Sequence, residues 1–244
     1  MIAASGDWVI VSGAGGALGT AITSHFSALG HRVLAIDRVE IKTSLRGVTP
    51  RAVDLLGEDE VKAALAETIP VGERIALLVN AVGMIWNEPV LQVRGGKFVT
   101  HAKASWQSVI DANLTAPFVV ATQVAARMVR SGGGSIVNFS SIASEGNAGQ
   151  GAYSAAKSGI EGLTRTMAIE LGPLGVRVNA VALGFIDVPT TKAEVPGTVL
   201  AGYIKRTPLG RLGHVEDVIG AVDFLASAGF ANGTIIKLNG GLRL

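Results

Sequence analysis

Short apolar runs alternate with longer stretches of helical period along the whole chain. Seven runs read as buried strands: "DWVIVSG" (7–13), "RVLAID" (32–37), a weaker "RAVDL" (51–55), "IALLVN" (75–80), "GSIVNFSS" (134–141), "VRVNAVA" (176–182) and "GTIIKLN" (233–239). Residues 17–29, 58–68, 105–130, 152–171 and 215–227 carry the helical pattern between them. The helix over 105–130 has to tolerate Pro117, and the one over 152–171 stops before Pro173. Strands separated by helices of this length imply β-α-β crossovers. The fold class is therefore α/β, a single doubly wound parallel sheet of about seven strands with helices on both faces. No linker, low-complexity tract or simple repeat divides the chain, so residues 1–244 read as one domain.

One stretch breaks this rhythm. "PVLQVRGGKFVTH" (89–101) alternates apolar and polar residues around Gly95-Gly96, the signature of a β-hairpin with a tight turn of positive φ. A lid, an oligomer contact and a plain surface excursion are all compatible with it.

Composition narrows the function classes. Charged residues make up 16% of the chain, against roughly 25% in ordinary soluble domains. Much of the surface is thus expected under a large core or a partner subunit. The net charge is +2, and no Lys/Arg-rich run exists to track phosphates, which argues against nucleic acid as a partner. Without cysteine there are no disulfides or thiolate metal sites, and the four histidines lack ligand spacing, so no metal is expected. The opening "MIAASGDWVIVSGAG" has no basic segment followed by an apolar one, and no uninterrupted apolar run approaches about 18 residues. The expectation is a cytoplasmic protein with no membrane partner.

"VIVSGAGGALG" (9–19) follows the first strand and opens the first helix. Glycines there let backbone approach a pyrophosphate at a helix N-terminus, where free N–H groups and the dipole favour anions. Asp37 ends the next strand, where a carboxylate accepts the ribose hydroxyls of an adenosine and repels a 2′-phosphate. This favours NAD over NADP, with Arg38 next door as the argument for the alternative. "YSAAK" (153–157) sets a tyrosine and a lysine at i and i+4 on one helix face. A tyrosine working as a general base near neutral pH needs its pKa, ordinarily about 10, lowered by roughly 3 units, and a nearby ammonium is one source of that.

Together these segments resemble the short-chain dehydrogenase/reductase family over nearly the whole chain. The carriers are "SGAGGALG" (12–19), Asp54 in "AVDL", "VNAVG" (79–83), "DANLTAPF" (111–118), "IVNFSSIAS" (136–144), "YSAAK", "VRVNAVALGFID" (176–187), "RTPLGRLGHVEDV" (206–218) and "NGG" (239–241). The resemblance implies a Rossmann-type fold and hydride transfer between NAD(H) and a secondary alcohol or ketone. It also implies a catalytic set of Asn113, Ser141, Tyr153 and Lys157. Ser140 and Ser141 are both candidates for the serine, and the strand alignment favours Ser141. In this scheme Tyr153 is the general acid/base, Ser141 binds the substrate oxygen, Lys157 holds the nicotinamide ribose, and Asn113 interrupts its helix and holds a water that relays protons to Lys157. The cofactor contacts carried over are Gly13, Gly15, Gly16, Leu18 and Gly19 in the glycine turn, then Asp37, Arg38, Asp54 and Leu55. Asn80, Ala81 and Gly83 follow, with Gly184, Ile186 and Val188 at the nicotinamide end. A homotetramer or homodimer built on the helices at 105–130 and 152–171 is a further implication.

The chain departs from the family pattern at Ala17, Ala81, Leu183 and Val188, where the family commonly has Gly, Asn, Pro and Thr. Val188 cannot donate a hydrogen bond to the nicotinamide carboxamide, and Thr190 or Thr191 are the available replacements. These departures motivate an alternative, a catalytically silent NAD-binding sensor or scaffold. A third reading, reduction of an activated carbon–carbon double bond, is disfavoured because that branch usually spaces its Tyr and Lys more widely. Substrate contacts are expected from 142–152, from 185–207 and from the hairpin. Trp86 and Phe185 would suit an apolar or ring-shaped molecule.

Overall fold

A computed structural model describes residues 6–244, with backbone alone at Thr190 and Glu194. Its main sheet has seven parallel strands: β1 (Trp8–Ser12), β2 (Arg32–Asp37), β3 (Val48–Ala52), β4 (Ile75–Asn80), β7 (Gly134–Ser141), β8 (Val176–Leu183) and β9 (Ile235–Leu238). Their spatial order is β3-β2-β1-β4-β7-β8-β9. Residues alternate between the two faces along each strand. In β1, Trp8 and Ile10 pack into a core with residues of α2 (Glu58–Thr68), α4 (Ala116–Arg130) and α5 (Gly151–Leu171). Val9 and Val11 pack into a second core with α1 (Ala17–Ala28) and the helix Val215–Ser227. The doubly wound sheet and its covered faces are as the hydrophobic pattern predicts.

β3 corrects the expected strand at 51–55: it starts at Val48 and carries Pro50 in its middle. A proline removes a ladder donor, which an edge strand tolerates and an inner one does not. β3 is the outermost strand on its side, paired only to β2. The expected hairpin forms from β5 (Leu91–Arg94) and β6 (Lys97–Thr100), with Gly95 and Gly96 at φ +56 and +75. All but Gln92 of its strand residues are exposed.

The long helix over 105–130 forms as α3 (Lys103–Ile110), a π turn at Asp111–Thr115, and α4. Pro117 explains the irregularity, because it has no N–H to give the carbonyl of Asn113 four residues earlier.

The chain reverses direction across the sheet between β1 and β4, which leaves a crevice at their C-terminal ends. A row of buried polar side chains crosses the sheet just below it. Ser12 Oγ donates to Asn80 Oδ1 at 2.8 Å, and Asn80 Nδ2 donates to Asn138 Oδ1 at 2.9 Å and to the Pro117 carbonyl at 3.2 Å. Asn138 Nδ2 then donates to Thr164 Oγ1 on α5 at 3.0 Å. Asn80 is 1% exposed and lies outside the cavity lining, and its amide is consumed in holding β1, β4 and β7 in register.

Replacing Asn80 by Ala strands three partners in a site water cannot reach. The expected cost is about 2 kcal/mol, seen as a fall of roughly 4–8 °C in the thermal midpoint, whereas Phe98→Ser on the exposed hairpin should move that midpoint by less than about 2 °C.

Candidate active site

The crevice opens into a cavity of about 220 Å³. At one end lies the glycine turn between β1 and α1. Gly13 has φ +71, and a Cβ there would sit 2.5 Å from Val82 N, on the loop after β4. A Cβ at Gly19 would sit 2.2 Å from the Gly13 carbonyl oxygen. These two glycines therefore let three backbone segments meet. Gly16, Ala17, Leu18 and Gly19 line the cavity. α1 begins at Ala17 with no side-chain cap and no acidic residue in its first turn, so its N-terminal N–H groups remain available to an anion.

Asp37, at the tip of β2, accepts the Gly15 N–H through Oδ2 at 3.0 Å and the Val39 N–H through Oδ1 at 3.3 Å. Its carboxylate is thus fixed beside the glycine turn, with Arg38 exposed next to it. Asp54 lies beyond β3, where its carboxylate caps the Leu56 N–H, while Leu55 is buried in the core. Neither lines the cavity. The cradle, the free helix end and the placed carboxylate fit a dinucleotide.

At the other end, α5 brings Tyr153 and Lys157 to the cavity wall, facing Ser141 at the end of β7. Lys157 is 4% exposed, and its Nζ donates to the Phe139 carbonyl at 2.9 Å. Burial brings its pKa down to about 8. Tyr153 departs from expectation. Its phenol is raised above the ordinary value by burial, and only the Ser141 hydroxyl pulls the other way. The Lys157 ammonium stands 5.6 Å from the ring centroid and is committed to Phe139, so the protein alone does not acidify the phenol.

Ser141 Oγ accepts the Ala143 N–H at 3.1 Å, capping a short 3₁₀ turn at Ile142–Glu145, and still lines the cavity. Ser140 instead gives its hydroxyl to Glu161 Oε1 at 3.0 Å and to the Lys157 carbonyl at 3.3 Å. Asn113 sits in the π turn, as expected, but its side chain is spent. Nδ2 donates to the Met84 and Val109 carbonyls at 2.9 and 3.0 Å, and Oδ1 accepts the Met84 N–H at 3.2 Å. A Cβ on Gly83 would come within 2.6 Å of Asn113 Oδ1 and 3.4 Å of Lys157 Nζ, so glycine is what lets the loop pass this pair.

Ala81, Gly83, Gly184, Ile186 and Val188 all line the cavity, as does Thr191, which is 7% exposed. The Thr190 side chain lies outside the described residues. Phe185 lines the wall, stacked on Tyr203 at 4.2 Å. Trp86 does not: its indole N–H turns to Glu88. The hairpin strands also stay out of the lining. What the hairpin's base does instead is brace the substrate loop. Glu88 N donates to the Gly149 carbonyl at 2.7 Å, and Gln150 Nε2 donates to Asn87 Oδ1 at 2.8 Å. Asn147 and Gln150, joined at 2.9 Å, form a polar stretch of the wall that the sequence reading located only as a loop.

A family model described as enoyl-(acyl carrier protein) reductase matches residues 13–243. The short-chain reductase protein NovJ of Streptomyces niveus is 35% identical over 249 residues, covering 95% of this chain and 92% of that protein. The chain belongs to the short-chain dehydrogenase/reductase family. The 3-oxoacyl-[acyl-carrier-protein] reductase FabG of Thermotoga maritima is 34% identical over 249 residues, covering 97% of this chain and 98% of that protein. Among solved structures, the aldohexose dehydrogenase AldT of Thermoplasma acidophilum superposes with a TM-score of 0.84 at 28% identity, covering 97% of this chain and 94% of that one. Short-chain dehydrogenase/reductases are oxidoreductases that bind a nicotinamide dinucleotide and act on small molecules.

The buried lysine sets a pH signature. Below pH 8 the folded and unfolded states both hold the Lys157 proton, and the burial penalty stands in full. As pH rises through about 8 the folded state sheds that proton, while the unfolded chain keeps it until about 10.5, so stability rises. Urea unfolding without nucleotide should show wild type gaining about 2 kcal/mol relative to Lys157→Met between pH 8 and 10.

Proposed function

We propose that this short-chain dehydrogenase/reductase interconverts a ketone and a secondary alcohol with NAD(H), using Tyr153 as general acid/base. The observation that carries this reading is the convergence of Tyr153, Ser141 and Lys157 on one wall of a cavity whose far end is an uncapped helix N-terminus in a glycine cradle. The bound dinucleotide supplies or accepts the hydride. Ser141 offers its hydroxyl to the substrate oxygen, since the bond it makes to the Ala143 N–H is one it accepts and its Oγ already faces the Tyr153 phenol. Tyr153 delivers a proton to that oxygen in the reductive direction and takes it back in the oxidative one. A phenol held above its ordinary pKa by burial is protonated at neutral pH, the state that reduction requires. Lys157 keeps its ammonium within reach of the site at a pKa of about 8 and can return a proton to the phenol. With its side chain committed to Met84 and Val109, Asn113 holds the loop after β4 beside Lys157.

The dinucleotide is NAD rather than NADP on the strength of Asp37, held by two backbone N–H groups where an adenosine ribose would carry its 2′-phosphate. The substrate is an uncharged or weakly polar carbonyl compound of small to medium size. Its walls would be Phe185, Met84 and Ile85 on the apolar side and Asn147 and Gln150 on the polar side. The 3-oxoacyl reductase of Thermotoga maritima, as a relative, favours a 3-oxoacyl compound within that range.

Turnover is read from nicotinamide absorbance with acetoacetyl-N-acetylcysteamine as the test ketone. Tyr153→Phe should lower kcat by about 10²- to 10⁴-fold while leaving the Kd for NADH within about twofold. Tight NADH binding without turnover on any of a panel of ketones would favour the silent alternative. Reduction of a 2-enoyl thioester in preference to its 3-oxo partner would favour the double-bond reading. Separately, kcat/KM should favour NADH over NADPH by about tenfold or more, and Asp37→Ala should narrow or reverse that preference as Arg38 is left facing the 2′-phosphate.

A further inference from the structure

Glu161 stands one turn beyond Lys157 and two beyond Tyr153 on α5, so the three side chains share a face of the helix. Its Oε1 accepts two hydroxyl hydrogen bonds, from Ser140 at 3.0 Å and from Ser144 at 2.7 Å. Its Oε2 is held by Arg165 at 3.2 Å. Ser140 is the last residue but one of β7, Ser144 belongs to the 3₁₀ turn that follows, and Ser141 lies between them. Beyond the turn, Gly146 and Gly149 both have positive φ and nothing within 4 Å of an added Cβ.

We propose that Glu161 is a positioning residue: a single carboxylate oxygen grips the hydroxyls on both sides of Ser141 and thereby fixes the Ser141 Oγ against the Tyr153 phenol. This rests on the roles given to Ser141 and Tyr153 above. Hydroxyl bonds to an ionised acceptor are short and about twice as strong as neutral ones, which suits a clamp. Three other ties remain without it: Ser158 Oγ to the Ser144 carbonyl, Ser140 Oγ to the Lys157 carbonyl, and the Lys237–Glu145 ion pair at the end of the turn. None of them holds the hydroxyl of Ser144, so loss of the carboxylate loosens the turn that orients Ser141. A displacement of about 1 Å at a hydride-transfer site costs as much as 10²-fold in rate.

The test compares wild type, Glu161→Ala, Glu161→Gln, Ser144→Ala, Ser141→Ala and the Glu161→Ala/Ser141→Ala double variant, with acetoacetyl-N-acetylcysteamine and NADH. Glu161→Ala should lower kcat by about 10- to 100-fold, with KM for NADH within twofold. Glu161→Gln, whose amide oxygen still accepts both hydroxyls, should stay within about fivefold of wild type, and Ser144→Ala should fall between the two. In the Ser141→Ala background, Glu161→Ala should cost less than twofold more, because the clamp acts through the hydroxyl already removed. The pH midpoint of kcat should move in the same direction in Ser141→Ala and Glu161→Ala. Full activity of Glu161→Ala, or effects that multiply in the double variant, overturns the proposal. Should Glu161→Ala not fold, Ser144→Ala carries the decision, and its full activity likewise overturns it. An unchanged Ser141→Ala would instead bring down the reading of the site itself.

Discussion

Four polar ties bind α5 to the C-terminal half of β7, and the site exists because of them. Thr164 accepts from Asn138, Glu161 from Ser140, the Lys157 carbonyl from Ser140, and Lys157 Nζ donates to the Phe139 carbonyl. All lie in a seam whose apolar surroundings make unpaired groups costly. The helix can therefore dock in one axial position only, since a slip of a single residue would rotate each partner away by about 100°. That position puts the Tyr153 phenol opposite Ser141 at the strand's tip. Hydrophobic burial alone, through Ala156, Ile160 and Met167, would hold α5 on the sheet without choosing among neighbouring registers.

The same seam carries a cost. An ammonium kept at 4% exposure with a single carbonyl partner is an expensive group in the absence of nucleotide, and its lowered pKa measures that expense. At the opposite end of the cavity, α1 starts without a cap, another place where a stabilising contact is forgone. Both features lie on the cavity wall, and both become favourable when an anionic, hydroxyl-bearing ligand occupies it. Stability has been given up where binding recovers it.

How far the sequence could be read depended on whether a residue's surroundings were local. β2, β4 and β7 form with the bounds their apolar runs predict, and the helices over 58–68 and 215–227 do likewise, because period and punctuation are properties of neighbouring residues. Gly95-Gly96 was legible as a turn for the same reason. β3 was misjudged because Pro50 is acceptable only at an edge, and which strand lies at the edge is a property of the whole sheet. The side chain of Asn80 could not be assigned from its motif: its direction follows from Ser12 and Asn138, 68 residues before it and 58 after it. The Tyr153 phenol was expected to feel Lys157 from the i, i+4 spacing, yet the ammonium's actual partner is the Phe139 carbonyl on another element. Spacing placed the two on one face and said nothing about which acceptor would win.

The π turn at Asp111–Thr115 bears on how the chain can vary. It holds one residue more than the same arc of α-helix would need, so the count between Lys103 and Arg130 is tied to the geometry at Asn113. Loss of a single residue there would wind the turn back into ordinary helix, leaving the aliphatic stripe of α4, with Val120, Val124 and Met128, in the core but drawing Asn113 away from the Met84 and Val109 main chain. Insertions and deletions among descendants of this chain should therefore collect at the Gly95-Gly96 tip and spare this segment, leaving its length unchanged even where its residues diverge.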